Sequence, residues 1–301
     1  MSVNIQKLKK WTNMLLGKSS YHVNQNEGLI YSKTEIKGYY NNLTEKVTRF
    51  GLEGNQIPTT VVDSGEELYF SIAIFQYGLA AYDLYLLNND VEMAEKTLAC
   101  AEWAVTNQQQ DGSWVTFFYE NKEHPYSSMA QGEGISLLLR AYQIKPDDRY
   151  LTTAKLALEF MLIPKENGGT TKYDGEDVYF YECTEDPLIL NGWIFSLWGV
   201  MDYYKFFKDE KAKKILDATL ISLEKKLPDF DLGYWSMYED GMRICSPFYH
   251  SLHIAQLNVM YELTGNIVYS DYAGKFSGYQ RRWINRKRAF ITKAFQKVFR
   301  E

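Results

Sequence analysis

LNGWIFSLWGVMDYYKFF (Leu190 to Phe207) is apolar on nearly every face, and the segment that follows it, Glu210 to Leu227, is amphipathic with a charged stripe. A helix that is hydrophobic all round must be buried, whereas an amphipathic one turns one side to solvent. The pairing recurs. IAIFQYGLAAYDLYLLN (Ile72 to Asn88) precedes Val91 to Gln108, and SMAQGEGISLLLRAY (Ser128 to Tyr142) precedes Asp148 to Leu162. FYHSLHIAQLNVMYELT (Phe248 to Thr264) precedes Val268 to Trp283. The interval of roughly 60 residues marks a repeat architecture. Short links containing Asn, Asp, Gly or Pro join the members of each pair, as in antiparallel helix hairpins. Four buried helices ringed by four outer ones predict an all-α dominated fold, an α/α toroid or incomplete barrel of about four hairpins.

The segments between pairs carry the next information. Asn107 to Ser127, Asn167 to Ile189 and Pro228 to Pro247 are each about 20 residues, too long for mere connections, so each is expected to hold a small hairpin or binding loop. Residues 1–60 read differently, with alternating stretches such as YSKTEIKGYY (Tyr31 to Tyr40) that suggest extended structure. They are too few for their own core and are expected to pack, as a short β-containing extension, on a barrel spanning 61–283. RRWINRKRAFITKAFQKVFR then carries eight cations before Glu301. Within the tail, 284–301, Phe290, Ile291, Ala294, Phe295 and Val298 share a helical face, with Lys293, Lys297 and Arg300 beside them. Such a basic amphipathic segment suits an anionic inner-membrane surface or a glycosyltransferase partner. Packing of the phenylalanines on the barrel is the competing reading.

Composition bounds the class. The 301 residues are 46% hydrophobic and 24% charged, ordinary values for a soluble globular chain with a substantial core. Aromatic content of 16% goes either to the core or to sugar-binding clefts, where ring faces pack on pyranose C–H groups. Cys100, Cys183 and Cys245 are odd in number with no motif spacing, so a disulfide framework is not expected. A net charge of −5 argues against nucleic acid as a partner. Neither a membrane-length apolar run nor a signal-like N-terminus is evident, which predicts a cytoplasmic location.

The chemistry-bearing residues are densest in YEDGMRICSPFYHSLH (Tyr238 to His253). Tyr and His hold or hand over a proton, and Arg neutralises a carboxylate with a planar pair of N–H donors. These parts suit removal and return of a proton on carbon next to a substrate carboxylate. His250 and His253, three apart on a helix, face the same way. With Cys245 or Glu239 they could ligate a metal, but HExxH and CxxC patterns are lacking, so neither metal nor cofactor is expected. Gln131 and Asn191 open buried helices, where a polar side chain is as often a cap as a ligand. Trp114 either stacks on a sugar ring or anchors its turn.

Taken in order, FQYGLAAYDLYL (Phe75 to Leu86), NQQQDGSW (Asn107 to Trp114), SSMAQGEGISLLLRAY (Ser127 to Tyr142), ILNGWIFSLWGVMDYY (Ile189 to Tyr204), LPDFDLGYWSMY (Leu227 to Tyr238) and YHSLHIAQL (Tyr249 to Leu257) resemble the C-terminal catalytic domain of the D-glucuronyl C5-epimerases. The resemblance runs from about residue 60 to Trp283. M-A-Q-G, L-N-G and Y-H-x-x-H in this order are its specific parts. It implies an α/α-barrel and a metal-independent isomerase inverting C5 of glucuronic acid residues to iduronic acid, as in heparosan or capsule biosynthesis. The implied catalytic tyrosines are Tyr181, Tyr238 and Tyr249, with Asn191, His250 and His253 also matching. The family has a Glu directly before the first tyrosine; Phe180 stands there in this chain, and Glu182 follows Tyr181.

The expected site therefore comprises Tyr181, Tyr249, Tyr238 and Glu182 as catalytic groups, with Arg243, Asn191, Gln131, His250, His253 and Trp114 on the substrate. The substrate would be an acidic polysaccharide or lipid-linked oligosaccharide, and a homodimer is compatible. Three rivals stand beside the epimerase: a polysaccharide lyase, which begins with the same deprotonation, a toroid glycoside hydrolase using carboxylates such as Glu182, Asp186 and Glu239, and a non-catalytic sugar-binding scaffold.

Overall fold

A computed structural model describes residues 25–61, 65–119, 121–185 and 187–299. Residues 1–24, Asp186 and Arg300 lie outside it, as do the side chains of Lys297 and Val298. Among the described residues the fold is all-α dominated, with ten α-helices. α1 is Thr44–Phe50, α2 Ser71–Asn88, α3 Val91–Asn107, α4 Ser128–Ile144 and α5 Asp148–Met161. α6 is Leu190–Phe207, α7 Glu210–Lys226, α8 Pro247–Thr264, α9 Ile267–Arg281 and α10 Trp283–Phe299. Every pair read from the repeat is thus a pair of helices.

Three of the four hairpin turns share one device. Asn89 (φ 53°), Lys208 (φ 53°) and Gly265 (φ 73°) take the left-handed conformation that ends a helix, and each is followed by an Asp or Asn. That residue caps the next helix: Asp90 accepts from the Glu92 N–H, Asp209 from Ala212 and Asn266 from Val268. One residue stops a helix and the next starts its partner.

Of the long links, the second holds a full hairpin, β3 (Thr171–Asp174) with β4 (Asp177–Phe180), turned at Gly175. Pro228 to Pro247 begins within a 3-10 turn, Leu227–Phe230, and pairs only through the bridges Asp231–Ser236 and Met237–Ile244, and the described part of Asn107 to Ser127 has no strand. A further two-residue pair, β1 (Thr60–Val61) with β2 (Glu67–Leu68), precedes α2.

The chain divides into two compact units, Gly28–Leu223 and a second made of the described residues of Met1–Glu27 and Glu224–Glu301. In the first, α4 packs on α2, α5 and α6. Gly132 and Gly199 let α4 and α6 meet backbone to backbone: a Cβ on Gly199 would lie 2.3 Å from the Gly132 Cα. Ser128 and Ser196 hydroxyls bond across the same contact at 2.8 Å.

The expected strand at Tyr31 to Tyr40 is not one. It is an irregular strap whose backbone is satisfied by helix side chains. Arg140 donates to the carbonyls of Lys37 and Gly38, and Asp83 accepts from the Tyr39 N–H at 2.8 Å. The Arg140 guanidinium also pairs with Asp202 at 2.6 Å, both fully buried, and Asp202 accepts from Ser136 and the Tyr40 hydroxyl. The alternation of the sequence reflects Tyr39 and Tyr40 entering the core, not a ladder.

In the second unit α8 packs on α9 and α9 on α10. A cluster of Tyr234, Trp235, Ile244, Cys245 and Ala289 joins the loop before α8 to α10.

Candidate functional site

In the first unit β4 delivers Tyr181 and Glu182. Tyr181 is held at both ends of its peptide: its N–H donates to Thr170 at 2.9 Å, and its carbonyl accepts from Ser128, the first residue of α4, at 3.0 Å. Lys165 Nζ lies 4.2 Å from the Tyr181 ring centroid and donates to the Thr184 carbonyl, which sets a cation against the ring face. Phe180, where the family has its Glu, is fully buried, as strand alternation requires with Tyr181 pointing the other way. Glu182, the residue after Tyr181, is half-buried. Gly192 of L-N-G makes room for it, since a Cβ there would lie 2.2 Å from Glu182 Oε2. Asn191, on the first turn of α6, is buried.

Sequence reading missed Glu133, the charged residue of M-A-Q-G-E-G. It is fully buried on α4, and its Oε1 accepts from Gln76 Nε2 at 2.8 Å. Its Oε2 is buried and has no hydrogen-bond partner among the described residues. Burial pushes the Glu133 carboxyl well above the usual carboxylate range; Gln76 and Lys46 oppose this, while Glu182 adds to it. Lys46 is half-buried, and burial lowers its ammonium against the pull of Glu133. A carboxylate on a helix that must be buried on every face was the available signal, because such a group costs stability unless it is used.

Two expected ligands in this unit are structural. The Gln131 amide is spent on backbone: Nε2 donates to Gly112 and Ala157, and Oε1 accepts from the Trp114 N–H. Trp114 is 1% exposed, packs edge-on against Phe75 and donates its indole N–H to Ala104 at 2.8 Å. It anchors its turn and presents no face to a sugar.

In the second unit the Tyr238 and Tyr249 rings lie 4.7 Å apart, both half-buried. Tyr249 sits on the first turn of α8, capped by Ser246, and Tyr238 is fixed by its N–H to the Arg243 carbonyl at 2.7 Å. The Arg243 side chain is 42% exposed and forms an ion pair with Glu239, which is 1% exposed. Arg243 thus neutralises a buried carboxylate of its own loop.

The histidines do share a face, and that face is core. His250 stacks on Trp235 at 3.7 Å; its Nδ1 accepts from the Ser236 backbone N–H at 3.1 Å, and its Nε2 bonds the Phe276 carbonyl at 3.0 Å. These partners define the neutral Nε2–H tautomer. His253 Nδ1 meets Ser236 and Cys245. Burial lowers His250 to about 4 and His253 to about 3, the latter helped by its neighbour. Both rings are fully buried, so neither reaches a substrate.

Each unit thus carries tyrosine and carboxylate side chains of the kind that proton transfer uses. The model of the D-glucuronyl C5-epimerase C-terminus matches residues 106–278, more than half of the chain, and the chain belongs to that family. It is 28% identical over 210 residues to a D-glucuronyl C5-epimerase of Caenorhabditis elegans, covering 60% of this chain and 34% of that protein. It is 30% identical over 155 residues to an uncharacterised protein of Methanocaldococcus jannaschii, covering 50% of each. The chain thus spans about a third and a half of the lengths of these relatives.

Proposed function

We propose that the chain is a uronosyl C5-epimerase that inverts C5 of glucuronic acid residues in a polysaccharide or lipid-linked oligosaccharide. The C5–H bond breaks, its electrons pass into the adjacent carboxylate as an enediolate, and a proton added to the opposite face forms the new C5–H bond. Inversion needs two proton-transfer groups and positive charge at the carboxylate. The family resemblance assigns proton transfer to Tyr181 of the first unit and to Tyr249 of the second; Tyr238 supports Tyr249 through their ring contact, and Glu182 is the carboxylate next to Tyr181 in sequence. Arg243 meets the substrate carboxylate with Glu239 orienting it, and Asn191 contacts the sugar. Glu133, whose carboxyl burial pushes up, is a further buried acid of the first unit.

The observation that carries this reading is that the matched residues 106–278 include Tyr181, Tyr238 and Tyr249. Deuterium incorporation from heavy water into C5 of a glucuronate polymer tests it. Incorporation without chain cleavage is expected from the wild type, and near-complete loss from Tyr181→Phe and from Tyr249→Phe with folding intact. Appearance of an unsaturated uronate would make the chain a lyase. Retained exchange in both Phe variants would remove the tyrosines from the mechanism.

A further inference from the structure

α10 is an amphipathic helix seated the wrong way round. Ala289, Thr292, Lys293 and Gln296, at i, i+3, i+4 and i+7, form the face that packs on its own unit. Thr292 bonds the Tyr234 hydroxyl at 3.1 Å, Lys293 donates to the Ile244 carbonyl at 2.8 Å, and Gln296 brackets the loop through the Ile244 N–H and the Met242 carbonyl. Of that face only Ala289 is a buried apolar residue. Ile284, Ile291 and Phe295, at i, i+7 and i+11, lie on the opposite side at 60%, 55% and 59% exposure. Trp283 and Phe290 flank them, also exposed. A surface helix ordinarily buries its apolar stripe and wets its polar one.

The charge pattern says what covers the exposed stripe. Arg281, Arg282, Arg286, Lys287 and Arg288 are all exposed, and the chain has no Asp or Glu between Tyr272 and Arg300, although its net charge is −5. Lys287 lies over the Trp283 ring at 4.8 Å, and Arg288 over Tyr234 at 3.8 Å, so cations edge the apolar stripe. No helix among the described residues is long and apolar enough to cross a membrane. We infer that α10 is a peripheral docking helix for an anionic lipid surface, with Ile284, Ile291 and Phe295 entering the acyl boundary and the arginines and lysines meeting headgroup charges. A soluble polyanion would satisfy the cations but leave three aliphatic and aromatic side chains in water. A bilayer satisfies both.

Co-sedimentation of the full chain with phosphatidylcholine–phosphatidylglycerol vesicles tests this. The wild type is expected to bind them and to bind phosphatidylcholine alone far more weakly. Ile291→Asp/Phe295→Asp should lower binding by about tenfold or more, with an unchanged melting temperature because both side chains are exposed. Ile284→Asp serves as an independent single variant on the same stripe. Equal sedimentation of wild type and the Asp variants overturns the inference. So does a wild-type mass of two chains that the Asp variants halve, which gives the stripe to a second copy. Binding to a soluble acidic polysaccharide with none to vesicles also overturns it and gives the helix to the polymer.

Discussion

Lowering the pH from 7 to 5 should weaken the second unit specifically through its two buried histidines. Both have folded pKa values below the ordinary 6.5, about 4 for His250 and about 3 for His253. A depressed folded pKa gives stability that is fully present above 6.5 and is lost as pH falls toward the folded value, because the unfolded chain takes up protons that the folded one refuses. At pH 5 both rings are still neutral in the fold and mostly charged in the unfolded chain. Each pH unit below 6.5 costs ~1.4 kcal/mol per histidine, so each loses about 2 kcal/mol and the pair about 4 kcal/mol. Against a typical total of ~5–15 kcal/mol that is a large share. Urea unfolding followed by tryptophan fluorescence reports it well, since Trp235 stacks on His250. His253→Leu removes one titrating group. It should be less stable at pH 7 through the lost contacts with Ser236 and Cys245, yet its further loss between pH 7 and 5 should shrink by about 2 kcal/mol. An unchanged acid loss in that variant would refute the assignment of the pH dependence to buried neutral imidazoles.

Two glycines offer separate tests in the first unit. Gly192→Ala places a methyl 2.2 Å from Glu182 Oε2 and 2.7 Å from Glu182 Cβ, so it should displace that residue, lower the proposed C5 exchange by about tenfold or more and cost about 1–3 kcal/mol in unfolding. Gly199→Ala sets the same methyl against the Gly132 backbone, which cannot yield locally, and should cost about 3 kcal/mol or more in a thermal melt.

The hairpins were legible because the property that defines them, apolar all round against apolar on one side, is a property of composition along the chain. Their turns were legible for the same reason, in pairs such as Asn89–Asp90 and Gly265–Asn266. The strap at Tyr31 to Tyr40 was not, because alternation says only that side chains go to opposite sides, and Arg140 and Asp83 replaced the neighbouring strand. Spacing placed His250 and His253 on one face without saying that Trp235 and Phe276 would cover it. Glu133 lies in M-A-Q-G-E-G on a helix apolar nearly all round, which signalled a buried carboxylate, but its enclosed oxygen is visible only in the structure. For α10 the sequence put Phe290, Ile291, Ala294, Phe295 and Val298 on one face, whereas the exposed stripe is Ile284, Ile291 and Phe295, because the side presented depends on which residues the Tyr234 to Ile244 loop grips.

The strap also sets an order of events during synthesis. The Tyr40 hydroxyl finds its partner on Asp202, 162 positions later, and Arg140 reaches back over 103 positions to Lys37. At ribosomal speeds of ~5–20 residues per second the nascent chain carries Tyr39 and Tyr40 uncovered for about 8–30 s before α6 emerges. α2 and α3 can form their local hairpin in that interval, but the buried Arg140–Asp202 pair cannot close until the second half of the unit has left the ribosome. The segment made early is therefore fastened late, and that waiting period is when this chain most needs protection from aggregation.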